Sequence, residues 1–202
     1  RMWVCRVLGG TAGRWDSGAV MLADYAKIQE KDAEFLAKHR KDFIPPLYGM
    51  RHAVRTMELM VALPYDKPFD VVPGVRGTYV DAGHILGSAS VILDCVEGGQ
   101  SRRLVFSGDI GRSGLAIIRD PVPPTGAHEL IMESTYGDRD PESVDGAKAR
   151  LAKVVRAPAA TGRRVLIPAF AVGRKQELNH NLPSPSRESA IPTIPLRLPS
   201  TL

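Results

Sequence analysis

The sequence lacks any long apolar run. None of its 202 residues falls in a stretch approaching the ~18–20 apolar residues that a bilayer-spanning helix requires, so no membrane association is expected. It also lacks the apolar core of a secretory signal: Arg1 to Gly10 holds no such segment of about 7–15 residues. Cysteine is scarce. Cys5 and Cys95 offer no CxxC pair and cannot make a disulfide scaffold, which excludes a stapled secreted module and points to a reducing, cytoplasmic compartment. A dominant charge is missing too. Of the net +5, +4 falls in residues 163–202, on Arg163, Arg164, Arg174, Lys175, Arg187 and Arg197 against Glu177 and Glu188. The body is near neutral, so electrostatics alone do not announce a nucleic-acid binder, and the basic tail reads as a solvated segment. What is present, 44% hydrophobic and 24% charged residues, suits one soluble globular domain with a real core. The chain opens on Arg1 rather than Met, hence the expectation that it is a fragment of a longer protein.

Residues 1–20 carry no readable period, and Gly9-Gly10-Thr11-Ala12-Gly13 is turn-like. From Val20 to His39, Met21, Leu22, Tyr25, Ile28, Phe35 and Leu36 recur every three to four residues and predict a helix with Tyr25 in its core. A second helix is expected from Met50 to Leu63, ended by Pro64, with Met57 facing inward. Strand-like runs follow at 69–72, 75–80, 90–96, 103–106 and 130–132. The turn Glu97-Gly98-Gly99-Gln100 makes the third and fourth of these a hairpin. Residues 143–157 read as a helix and 164–167 as one more strand. Helices flanking short strands argue a layered α/β domain with a largely buried sheet. From Asn179 to Leu202, prolines and serines without an apolar period argue an irregular or disordered tail.

Polar residues cluster where predicted strands end. Asp81-Ala82-Gly83-His84 follows one strand, Ser107-Gly108-Asp109-Ile110-Gly111 a second, and Glu133-Ser134-Thr135-Tyr136-Gly137 a third. The edge beyond strand ends is where layered α/β folds build sites, and an imidazole with carboxylates is a ligand set for a divalent ion such as zinc. Each residue also has a plainer reading. His84 as a loop histidine would be solvated or capped, Asp109 between glycines would serve the turn, and Glu133 would cap a helix or pair with an arginine. Asp81 is either a support for a metal histidine or a strand-end cap. Ser88 makes a loop hydrogen bond, no base being assignable to make it a nucleophile. Cys95 reads as a small buried hydrophobe, and Arg174 and Lys175 as a solvated face.

The segment Asp81-Ala-Gly-His84-Ile-Leu-Gly-Ser88 resembles the third metal motif of the β-CASP group of metallo-β-lactamase-fold nucleases. Phe106-Ser-Gly-Asp109-Ile-Gly111 resembles the fourth motif, and Glu133-Ser-Thr-Tyr-Gly-Asp-Arg139 the β-CASP motif A. Ile167-Pro-Ala-Phe-Ala-Val-Gly-Arg-Lys-Gln-Glu-Leu178 is similar to the opening of the β-CASP domain, and Ala26 to Glu34 to a helical segment of the group. The resemblance covers about Met21 to Leu178. It implies an α/β fold, a partial αββα metallo-β-lactamase sandwich over 21–162, with the start of a β-CASP domain at 163–178. It further implies two zinc ions and hydrolysis of RNA phosphodiesters by metal-assisted attack of a hydroxide on phosphorus. His84 would ligate one zinc, Asp109 would bridge both, and Glu133 would be catalytic, orienting a histidine of the β-CASP domain. Asp81 and Ser88 would support them. RNA is the implied partner, with a homo-oligomer allowed.

The departures are equally specific. The group's His-x-His-x-Asp-His cluster is absent: none of His39, His52, His84, His128 and His180 lies two residues from another. By the group's spacing the cluster is expected just before Arg1. The resemblance also stops after Leu178, leaving the late β-CASP histidine motifs unmatched. Two competing readings follow. One is a non-catalytic scaffold subunit that keeps the fold. The other is a small-molecule metallo-hydrolase, against which motif A and residues 167–178 speak.

Overall fold

The computed structural model describes residues 8–39, 44–140 and 142–169, together with 173, 176, 178, 180, 195 and 197. The expected tail lies almost wholly outside the described residues, as do Cys5, Arg174 and Lys175.

Strand β1 (Leu8–Thr11) leads directly into helix α1 (Ala12–His39), and α2 (Met50–Leu59) leads directly into β2 (Met60–Leu63). β1 and β2 pair in parallel, Leu8 opposite Met60 through Thr11 opposite Leu63. Here the fold differs from the sequence reading twice. The Gly-Gly run is a strand with the first turns of α1 behind it, and the expected helix over 50–63 breaks at Leu59. A four-residue apolar run is ambiguous between helix and strand, and pairing with a distant segment decides it. The start of α2 is fixed from α1: Glu30 Oε1 accepts from Met50 N at 3.0 Å, and Gln29 Oε1 accepts from Leu47 N at 3.2 Å. A carboxylate at that end also complements the helix dipole.

The second sheet has the order β3 (Phe69–Val72), β4 (Val75–Asp81), β5 (Ala89–Glu97), β6 (Gln100–Phe106), β7 (Glu129–Ile131). Its pairs are antiparallel except β6 and β7, which run parallel. The β5–β6 hairpin closes at Glu97 opposite Gln100, as the Gly98-Gly99 turn requires. Val80, Ile92 and Val105 form its buried centre. The two sheets meet at Tyr79, whose hydroxyl donates to Gly9 O at 3.0 Å. A Cβ at Gly9 would lie 2.9 Å from Leu63 Cδ1 and 3.4 Å from the Tyr79 oxygen, so the glycine makes room for this contact. Helix α3 (Val144–Ala160) begins at Ser143, whose hydroxyl accepts from Gly146 N at 3.1 Å.

Several expectations about burial do not hold. Tyr25 is 51% exposed and Met57 only half-buried. The buried positions of α1 are Ala26 and Ala33, so its buried surface is made of small side chains. The sheet is not largely buried either: Val71, Val72, Val96, Leu130 and Ile131 are exposed. Cys95 is half-buried. Residues 164–167 form no strand, and Leu166 is 94% exposed, because no neighbour among the described residues supplies a ladder.

One feature joining the hairpin to β7 was not foreseeable. Arg103 grips Asp94, its register partner, through Nε to Oδ1 at 2.7 Å and Nη2 to Oδ2 at 2.9 Å. Arg103 Nη1 also donates to Thr125 O, while the Arg103 backbone N–H donates to His128 Nδ1 and its carbonyl accepts from His128 N. Hydrogen bonding from Arg103 holds the Asp94 carboxyl below its ordinary value. The folded-state value therefore lies below the unfolded one. The contribution is complete above about pH 4 and is lost as pH falls through the folded value. Asp94→Asn is expected to lose about 1 kcal/mol in urea denaturation at neutral pH, with the gap to wild type closing toward pH 2. A gap that stays constant across this range would rule out the ion pair as its source.

Candidate functional site

The site is built where β4, β6 and β7 end. After β4, Gly83 takes a positive φ of 64° and the chain turns through His84 to Ser88 before entering β5. Asp81 Oδ1 accepts from Gly83 N at 2.9 Å. Ser88 Oγ accepts from His84 N at 3.0 Å and Ile85 N at 3.3 Å, so the turn that presents His84 is held from inside. After β6, Gly108 turns at φ 59° and Asp109 follows. After β7, Glu133 follows Met132, and its N–H donates to Ser107 Oγ at 3.1 Å.

These three loops meet. Gly111 N donates to Ala82 O at 2.8 Å, and a Cβ at Gly111 would collide with Gly83 O and lie 2.7 Å from His84 N. Glu133 Oε1 accepts from Ile110 N at 2.5 Å and Oε2 from Thr135 Oγ1 at 2.6 Å. The carboxyl of Glu133 is held below its ordinary value, first by the Thr135 hydroxyl, then by the Ile110 N–H, with the charge of His84 adding to both. His84 and Asp109 are exposed on their loop tips. The start of α1 closes on the same place. Thr11 Oγ1 donates to Gly87 O at 2.6 Å, and Tyr65 donates from its hydroxyl to Ser88 O at 2.9 Å.

Asp81 at the end of β4, and His84, Ser88, Asp109 and Glu133 on the loops that follow the strands, thus belong to one set of segments stitched together by hydrogen bonds. Asp81 and Ser88 serve their own loop backbone. The contributions of Thr11, Ser90, Ser107 and Thr135 were missed by sequence reasoning, since a lone hydroxyl carries no signal in sequence. Ser134-Thr135 beside Glu133 was the nearest hint.

The donor set does not complete a metal centre. Among the described residues no three His, Cys, Asp or Glu side chains gather into a group able to hold a metal ion. Each oxygen of Glu133 accepts one hydrogen bond, from Ile110 N and Thr135 Oγ1, and these fix the carboxylate between its own loop and the Asp109 loop. His84 and Asp109 remain, short of the three protein ligands usual for catalytic zinc.

Three of the proteins to which the chain is similar carry the comparison. It is 32% identical over 161 residues to transcription termination factor FttA of Methanothermobacter thermautotrophicus, covering 78% of this chain and 25% of that protein. It is 31% identical over 159 residues to cleavage and polyadenylation specificity factor 73 of Drosophila melanogaster, covering 78% and 21%. It is 34% identical over 163 residues to ribonuclease TTHA0252 of Thermus thermophilus, covering 69% and 37%. No family model matches the chain. The three-loop arrangement and the similarity over most of the chain agree with the motifs. The chain is a relative of the β-CASP group of the metallo-β-lactamase fold, at about 30% identity over most of its length. Its α/β architecture is a partial version of that fold, and chemistry in the β-CASP group is metal-dependent. The chain spans a quarter of the length of its FttA relative. Among its described residues no helix is long and apolar enough to cross a membrane.

Proposed function

We propose that the protein to which this chain contributes hydrolyses RNA phosphodiester bonds with zinc, and that the chain carries part of its site. The convergence of the loops bearing His84, Asp109 and Glu133 is the observation that supports this most, together with 34% identity to a protein named a ribonuclease. In this reading residues 21–162 are the metallo-β-lactamase part and 163–178 the start of the β-CASP domain. His84 and Asp109 each supply one zinc ligand. Glu133 has oxygen lone pairs left to accept from a histidine of the β-CASP domain, because each carboxylate oxygen accepts more than one hydrogen bond. Asp81 and Ser88 shape the His84 turn. RNA is the substrate, and the setting is cytoplasmic.

The chain alone is expected to bind zinc weakly and cleave RNA at background level, because two ligands do not make a pre-formed pocket. Elemental analysis after purification in zinc and dialysis should find less than one equivalent per chain. Two tightly held equivalents, or cleavage of end-labelled RNA well above background, would contradict that expectation.

A second reading, a non-catalytic scaffold subunit of an RNA-processing assembly, is favoured by the missing three-ligand group among the described residues. The coding sequence upstream of Arg1 separates the two. A His-x-His-x-Asp-His run there supports the hydrolase; its absence supports the scaffold.

A further inference from the structure

Four polar side chains are deeply buried among the described residues: Thr11 at 2% exposure and Ser88, Ser90 and Ser107 at 3%. All four brace the site loops. Thr11 and Ser88 hold the His84 turn. Ser90 and Ser107 act on the Asp109 loop, where no role has been assigned to them. Ser90 Oγ donates to Ser107 O at 2.8 Å. Ser107 Oγ donates to Gly108 O at 2.7 Å and accepts from Glu133 N at 3.1 Å. Glu133 Oε1 in turn accepts from Ile110 N. The path from Ser107 through Gly108, Asp109 and Ile110 to Glu133 and back to Ser107 is therefore a closed ring. Asp109 is clamped on both sides.

We propose that Ser107 is a positioning residue, whose hydroxyl fixes the Asp109 backbone by tying it to Glu133. The inference rests on the reading of Asp109 as a site residue. The hydroxyl is separable from the sheet, because the ladder continues without it: Ser107 N donates to Ile131 O at 2.9 Å. Removing the side-chain oxygen leaves that bond in place and opens only the ring. Burial of the Ser107 side chain, 3% exposed, strengthens its partly buried bond to the Glu133 N–H.

The test compares wild type with Ser107→Ala and Ser107→Thr in the full 202-residue chain, by amide hydrogen exchange and backbone 15N relaxation. In Ser107→Ala, protection of the Ile110 amide should fall about tenfold, and the order parameter at Asp109 should drop from the rigid range of about 0.85 to below about 0.6. Protection at Val105 and Ile92 should stay within about twofold, and Ser107→Thr should restore the Ile110 value. Unchanged Ile110 protection, or an equal loss at Val105, overturns the proposal. Should Ser107→Ala fail to fold, Ser107→Cys decides, because it leaves no cavity while weakening donor and acceptor; it must loosen Ile110 selectively. The zinc and RNA assays above test the functional reading separately: failure of that reading would leave the ring and its hold on Ile110 as structure and would remove the positioning role of Ser107, whereas failure of the exchange test would remove the ring itself.

Discussion

Replacing Gly111 with alanine is expected to destabilise the chain by about 3 kcal/mol and to separate the His84 loop from the Asp109 loop. The added Cβ would meet Gly83 O and C and crowd His84 N, all of them backbone atoms that no rotamer change can clear. Neither side has room to retreat. Gly111 is tied by its own N–H to Ala82 O, and Gly83 backs onto Pro121 and Arg119, whose atoms a Cβ at Gly83 would approach at 2.6–2.9 Å. Gly114 is the control. It turns at φ 79° with nothing within 4 Å of an added Cβ, so Gly114→Ala should cost only the local backbone strain, roughly 1 kcal/mol. Urea denaturation of the two variants measures the difference. Equal midpoints for Gly111→Ala and wild type would mean that the loops are not in contact.

Thr11→Val should cost about 2 kcal/mol, more than its isosteric shape suggests. Thr11 immediately precedes α1, and its hydroxyl accepts from Arg14 N at 3.3 Å while donating to the buried Gly87 carbonyl at 2.6 Å. Valine fills the space but leaves both groups without a partner. The approach is too tight for water to enter: a Cβ at Gly13 would lie 3.0 Å from Gly87 Cα. Thr11→Ser, which keeps the oxygen, should lose less than half as much in the same thermal or urea unfolding measurement. A valine variant as stable as wild type would show that the start of α1 does not brace the His84 loop.

These two positions mark where sequence reasoning reached and where it stopped. The loops bearing His84, Asp109 and Glu133 were legible because each couples a β-rich run to a glycine turn and a polar residue, a pattern that fixes both the strand end and what it presents. The hairpin at Gly98-Gly99 was legible for the same reason. The packing of α1 onto the His84 loop was not, because Thr11 and Gly87 are 76 residues apart and Gly9-Gly10 carries no period. Pairing with β1 likewise converted Met60–Leu63 from expected helix to strand. Among the described residues, 164–167 have the composition of a strand without a pairing partner, and Tyr25 has helical spacing without a covering surface. Local pattern predicts an element's preference; a distant neighbour decides whether that preference is met. Glu133 illustrates the limit within the site. Its place at a strand end was readable, but its two hydrogen-bond partners, Ile110 and Thr135, depend on how the loops meet.

The most direct measurement is a nuclear Overhauser spectrum of the isotope-labelled chain in solution. Cross-peaks linking the amide of His84 to the α protons of Gly111, and the amide of Ile110 to the γ protons of Glu133, are the result this structure predicts. A spectrum of the folded chain in which the strand pairs β4–β5 and β5–β6 give their cross-peaks while both of these are missing would contradict the convergence of the three loops, and with it the site.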